Sequence, residues 1–315
     1  MSEPKLAIGI DFGGTSVKVA LIHGSKIVAH GEPVPTQQYA GPTPLLEALG
    51  ERIINLSRTA SQHGEDKPPI GIGLPGLVDS VNGIVHELTN VPGWHEVPLQ
   101  DVLSDRFERA VILENDANAM AYGEYRYGAA KSGRNVICVT LGTGVGGGLI
   151  LDGRVYRGSQ LAAGEIGHLS IDYRGVPSPF GNLGGLETYV GNQRIIERAE
   201  LGYQRSGQQG PTPLTPRSLA EAANSGCAIA KEIWNEVGIQ IGAGLASSVW
   251  LLNPDTIVIG GGVAAAGHLV FDPIIHTIRS RTAPVIHQSL AIVPAELGNE
   301  AGMIGCAALA LEAAR

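Results

Sequence analysis

Three cysteines, Cys138, Cys227 and Cys306, are spread over 315 residues with no CxxC pair among them. That scarcity excludes a disulfide framework and a cysteine-rich zinc site, and it fits a reducing cytoplasm. Long apolar runs are missing too. No stretch approaches about 18 uninterrupted apolar residues, and the opening MSEPKLAIGIDFGG has no basic segment leading into an apolar one, so nothing addresses the chain to a membrane. Positive charge is scarce: 22 Lys and Arg stand against 30 Asp and Glu, a formal net charge of −8. Without clustered cations to neutralise phosphates, nucleic acid is not a partner.

What is abundant is glycine, 44 residues, which implies tight turns or ligand loops where a side chain would obstruct. The length predicts about two domains. Residues 5–12, 15–22 and 26–30 read as a strand meander, followed by a helix carrying Leu45, Leu46, Leu49, Ile53 and Ile54 and by a strand from Ile70 to Gly73. The plan recurs: residues 135–141 form a strand, Gly142-Thr143-Gly144 a turn, 146–151 a strand, Asp152-Gly153 a hairpin and 154–157 a third strand. Two related halves facing a cleft explain this duplication better than one continuous sheet.

Gly142, Gly144 and Gly147 have the GxGxxG spacing of a dinucleotide fingerprint, which requires a helix after the glycines. Here the chain runs straight into the Asp152-Gly153 hairpin, and GxxxxGK[ST] is absent. The remaining reading is a strand-to-strand turn whose bare amides face anionic oxygens. The turn Asp11-Phe12-Gly13-Gly14-Thr15, with Lys18 close behind, suits a magnesium-phosphate group or a plain hairpin with a solvated aspartate; pairing with the second turn favours phosphate.

Asn115 and Asp116 follow a strand at residues 110–113 and start a helix that continues through Tyr125. Either could cap that helix, yet a carboxylate at a strand's C-terminal end is also where an open α/β sheet presents catalytic groups, and the roles are compatible. Glu165 and His168 stand three residues apart, with Glu187 beyond a Gly-rich loop. Alone such a pair is more often structural; with Asn90, Asn115 and Asp116 it becomes a set that satisfies a ring of hydroxyls. Residues 257–263 read as an apolar strand ending in Gly260, Gly261 and Gly262, either a tight turn or a loop against adenine and ribose.

Together these residues resemble the ROK family of sugar kinases and sugar-responsive repressors, within the actin, hexokinase and Hsp70 superfamily. The likeness runs from Gly9-Ile10-Asp11-Phe12-Gly13-Gly14-Thr15 through Gly73-Leu74-Pro75-Gly76-Leu77-Val78-Asp79, Glu114-Asn115-Asp116-Ala117-Asn118-Ala119, the turn at Gly142, Gly164-Glu165-Ile166-Gly167-His168 and Gly298-Asn299-Glu300-Ala301-Gly302. The resemblance implies an α/β fold of two RNase H-like (actin-type ATPase) domains around a cleft, residues 1–117 and 118–299, with a helix at 300–315 packing back on the first. It implies ATP- and Mg2+-dependent phosphorylation of a hexose at the 6-hydroxyl, glucose first among candidates, by a cytoplasmic homodimer. Fructose, mannose and N-acetylated hexosamines, a polyphosphate donor and a non-catalytic sugar sensor are the alternatives. Asp116 is then the general base, and Gly76, Asn90, Asn115, Glu165, His168 and Glu187 bind sugar. Asp11 holds magnesium through water; Gly13, Gly14, Thr15, Lys18, Thr143 and Gly144 hold phosphates, and Gly261 and Gly262 adenosine.

One departure from the family bears on function. ROK kinases usually carry CxCGxxGCxE, whereas Ser178, Phe180 and Gly185 occupy the cysteine positions here, so no structural zinc is expected. Pro177, Pro179 and a buried Phe180 are expected to order the loop from Leu169 to Leu186 instead. ROK repressors carry a helix-turn-helix segment ahead of the sugar domain, and Asp11 stands almost at the N-terminus, which leaves that module no room. An actin-like filament or chaperone ATPase would not need Glu165, His168 and Glu187.

Overall fold

The structure is a computed structural model that describes residues 5–39, 41–88, 91 and 93–315; Asn90 lies outside the described residues. The first half opens with the meander β1 (Leu6–Phe12), β2 (Ser16–His23) and β3 (Lys26–His30), with β4 (Val34–Pro35) beside β2. After helix α1 (Pro42–Gln62) comes β5 (Ile70–Leu74), then a small sheet of β6 (Leu77–Asp79), β7 (Ile84–Glu87) and β8 (His95–Val97) that sequence periodicity does not announce. Helix α2 (Leu99–Phe107) leads to β9 (Val111–Asn115) and helix α3 (Asp116–Tyr127).

The second half repeats the plan: β10 (Val136–Leu141), β11 (Val145–Leu151) and β12 (Arg154–Val155), then helices α4 (Glu187–Val190), α5 (Asn192–Ser206), α6 (Pro216–Asn224) and α7 (Ala228–Leu252). Strand β13 (Thr256–Gly260), helices α8 (His268–Arg281) and α9 (Pro284–His287), strand β14 (Ala291–Pro294) and helix α10 (Ala301–Ala313) complete it. The sheet orders are β3-β2-β1-β5-β9 and β12-β11-β10-β13-β14. In both, the first three strands are antiparallel and the last two join in parallel. The duplication read from the sequence is therefore real at the level of topology.

Helices α3 and α10 lie between the sheets: α10 packs on β1, β5 and α3, and α3 on β10 and β11. The approach is close enough to dictate residue type. A Cβ at Gly9 would come 2.1 Å from the Met303 carbonyl oxygen and one at Gly71 1.9 Å from that of Cys306, so the strands beneath α10 need glycine where the helix backbone crosses. Each half has its own apolar core, one around Ile8, Phe12 and Leu49, the other around Ile137, Trp234 and Leu245. Among the described residues no helix is long and apolar enough to cross a membrane.

Two differences from the expected boundaries bear on the site. The strand expected at 110–113 continues through Glu114 and Asn115, so Asp116 is the first helical residue. The strand expected at 154–157 stops at Val155, and Arg157 turns away to meet Glu114, as described below.

Candidate active site

The end of β1 places Asp11 opposite Lys18 on β2 in the antiparallel register. Gly13 N–H donates to the Ser16 carbonyl at 3.0 Å, which closes the turn, and Thr36 supports it from outside through its N–H to Thr15 O and its hydroxyl to Gly14 O, both at 3.1 Å. Asp11 and Lys18 line a cleft of about 490 Å³ whose other walls are the second turn, with Thr143 and Gly144, and Gly261 after β13. Gly13, Gly14, Thr15 and Gly262 are not among the lining residues of this cleft; the three-glycine run ends the strand at Gly260, and Gly262 begins a 3-10 turn.

Asn115 is the N-cap of α3: its Oδ1 accepts the Ala117 and Asn118 N–H groups at 3.0 and 3.2 Å. Asp116 Oδ1 also accepts the Ala117 N–H, at 2.8 Å. The sequence left capping and chemistry open between these residues, and the backbone now gives the cap to Asn115. Burial pushes the Asp116 carboxyl up to about 6; the Ala117 N–H works against that rise, and the charges of Asp11 and Glu165 add to it. Asp11 is raised as well, again by burial first, with Lys18 pulling it down.

A second cavity, of about 790 Å³, gathers Gly76, Asn115, Asp116, Glu165, His168 and Glu187, every described residue the sequence assigned to sugar. It abuts the first. Asp116 and Glu187 line both. Glu187 Oε2 accepts the Val145 N–H at 2.8 Å, and a Cβ at Gly144 would come 2.3 Å from the same oxygen, so a side chain there would displace the carboxylate. His168 Nε2 stands 3.8 Å from Glu165 Oε2 across the short 3-10 turn Ile166–His168.

The loop that replaces the family's cysteine motif corrects one expectation. Phe180 is 81% exposed, not buried; its ring meets His168 edge-on, with centroids 4.9 Å apart, at the border of the second cavity. Ser178 turns inward instead. Its N–H donates to Asn182 O at 2.8 Å, its hydroxyl bonds the Asn182 side chain, and Asn182 Nδ2 donates to His168 O at 2.8 Å. Bridges Ser170 to Gly185 and Pro177 to Leu183 close the rest. Polar side chains thus order the loop, because a tight turn satisfies their hydrogen bonds locally while leaving the ring at its tip no core to enter. Asn182 and Ser178 carried no signal beyond their place in the motif frame.

Sequence reasoning also missed Arg157. Glu114, after three apolar residues of β9, is 1% exposed, and such a carboxylate demands partners. Arg157 Nε and Nη2 supply two, at 2.8 and 2.5 Å. Glu114 in the sequence signalled a need for a cation, but nothing local named which one.

The duplicated sheets have the actin-like fold, with a polar pocket beside two bare turns. The ROK family pattern matches residues 7–313, and the chain belongs to the ROK family. A glucokinase of Streptomyces coelicolor is 32% identical over 98% of this chain and 98% of its own length. The DNA-binding transcriptional repressor Mlc of Escherichia coli is 33% identical over 84% of this chain and 66% of its own. Among solved structures, the ROK hexokinase of Thermus thermophilus is 31% identical with a TM-score of 0.84, covering 98% of both chains. The ROK glucokinase of Streptomyces griseus, in complex with glucose and AMPPNP, is also 31% identical, with a TM-score of 0.76 over 98% and 99% of the chains. These relatives make it a ROK protein of the sugar-kinase type.

Proposed function

We propose that the protein transfers the γ-phosphoryl group of ATP to the 6-hydroxyl of a hexose, glucose first, with Asp116 as general base. The observation that carries this is the place of Asp116 on the border between the two cavities, so one carboxylate reaches both the hydroxyl to be phosphorylated and the side from which phosphate arrives. The kinase and hexokinase relatives support the same reading.

Phosphoryl transfer is mainly positioning and charge neutralisation. Asn115 spends its Oδ1 on the helix cap, so its amide Nδ2 is the group left to donate to a sugar hydroxyl. Glu165, His168 and Glu187 complete the polar wall. Asp116, raised to about 6, is ionised at neutral pH yet basic enough to take the hydroxyl proton late in transfer. Across the border the cleft holds Asp11 and Asp116 against Lys18, an oxygen-rich set with surplus negative charge that fits a divalent cation. Magnesium held there, by Asp11 through water, would neutralise the phosphates. The backbone of Thr143 and Gly144 and the bare face of Gly261 suit phosphate and adenosine.

The Mlc relative keeps a sugar-sensing role in view. A panel of glucose, fructose, mannose, N-acetylmannosamine and N-acetylglucosamine, assayed for ADP release with ATP and repeated with polyphosphate as donor, tests both. Hexose-dependent ADP release with 6-phosphate product supports the kinase; sugar binding without turnover supports the sensor.

A further inference from the structure

We infer that Arg157 is a positioning residue of this reaction, locking the Asn115 and Asp116 corner to the loop that carries Glu165 through the buried carboxylate of Glu114. The inference rests on the hexose kinase reading above. All the acceptor capacity of Glu114 is used: Oε1 accepts Asn115 N–H and Asn118 Nδ2, each at 3.1 Å, while Oε2 accepts Arg157 Nε and Nη2 at 2.8 and 2.5 Å. The first two donors flank Asp116 at the start of α3. The other two come from Arg157, two residues beyond β12 of the second sheet, and the Arg157 carbonyl accepts the Ala163 N–H at 2.9 Å, closing the loop that ends at Gly164 and Glu165.

One saturated carboxylate therefore joins the two walls of the sugar cavity, to which Asn115, Asp116 and Glu165 belong. Among the described residues, Thr143, Gly144 and Gly261 share no hydrogen bond with Glu114 or Arg157, so on the nucleotide side the network reaches only Asp116. Both guanidinium donors converge on one oxygen, a geometry that the planar fork supplies and a lysine ammonium does not. Removing Arg157 leaves Oε2 as an unpaired charge in a site 1% exposed. Such a charge draws water or reorients, and either outcome loosens the Asn115 N–H and the Asn118 amide.

The test compares Arg157→Met, Arg157→Lys and the double variant Glu114→Gln with Arg157→Met, using hexose and ATP kinetics and amide hydrogen exchange. Arg157→Met should lower kcat/KM for the hexose about tenfold to a hundredfold while the ATP KM stays within about twofold. Arg157→Lys should fall between it and the parent. The double variant should recover part of the loss, because no orphan charge remains. Exchange should quicken together at Ala117, Asn118 and Ala163. Unchanged hexose kinetics in folded Arg157→Met, equal rises in both KM values, or a double variant no better than the single would overturn the inference. If Arg157→Met does not fold, the double variant decides, through a raised hexose KM at constant ATP KM or its absence. If no hexose supports turnover in the parent protein, the kinase reading fails by itself. The exchange comparison then still decides the tie: acceleration at all three amides supports it, and acceleration confined to Ala163 overturns it.

Discussion

Glu187 Oε2 accepts the Val145 N–H at 2.8 Å, so a side chain of the larger cavity is fastened to the backbone just after the Gly142-Thr143-Gly144 turn. The two variants of this residue separate its roles. Glu187→Gln keeps an acceptor for Val145 and loses the charge; it should raise the hexose KM and leave the ATP KM near its parent value. Glu187→Ala removes both and should raise both KM values, by about tenfold for a lost charged hydrogen bond, in steady-state kinetics with each substrate varied.

Asp116→Asn keeps the acceptor for the Ala117 N–H and removes the proton acceptor. Turnover should fall about 10²-fold or more while the hexose KM holds. Because burial raises Asp116 to about 6, activity should fall as pH drops through that value, the base becoming protonated. Glu165→Gln takes away one of the neighbouring negative charges that raise Asp116, so the acidic limb of kcat/KM should move to lower pH. A limb that stays in place, or moves upward, contradicts the assignment.

Glu124 is a buried carboxylate at the far end of α3 whose oxygens accept the N–H groups of Ala129, Glu296 and Leu297 at 2.9, 3.1 and 2.8 Å. The segment it holds runs directly into Gly298 and Asn299 at the cleft lined by Asp11 and Lys18, the proposed nucleotide side. Glu124→Leu leaves those N–H groups unmet. It should cost roughly 1–3 kcal/mol for each donor left buried and unsatisfied, measured by denaturant unfolding, and should raise the ATP KM more than the hexose KM.

Zinc should be dispensable. Protein purified without added zinc should contain well under one equivalent by elemental analysis, and a zinc-selective chelator should leave magnesium-supported activity intact. Inactivation reversed only by zinc would contradict this. Phe180, 81% exposed and edge-on to His168, should on change to Ala raise the hexose KM with little shift in Tm, whereas Asn182→Ala should disturb both.

Closure of the cleft between residues 1–117 and 118–299 should accompany sugar binding, since the hydroxyl and the phosphate must meet at Asp116 with water excluded. Small-angle scattering should show a smaller radius of gyration at saturating hexose; identical curves would count against closure.

Much of this protein is legible in its sequence. The meander, its repeat, the two bare turns and the strand-to-helix corner at Asn115 and Asp116 depend on alternation of apolar residues, on missing side chains at glycine and on local capping, all of which act over a few residues. The order of the motifs then pointed to Gly76, Asn115, Asp116, Glu165, His168 and Glu187, which the structure gathers around one cavity. What the sequence alone did not determine is set by distance and burial. Arg157 reaches Glu114 across 43 positions, and Glu124 gathers amides 172 and 173 positions away, pairings that exist only because α3 lies between the two sheets. Phe180 shows the same division from the other side: hydrophobicity predicted burial, but the Ser178 and Asn182 turn closes on itself and leaves no core within reach, so only the tertiary structure decided that the ring would stand at the mouth of the cavity.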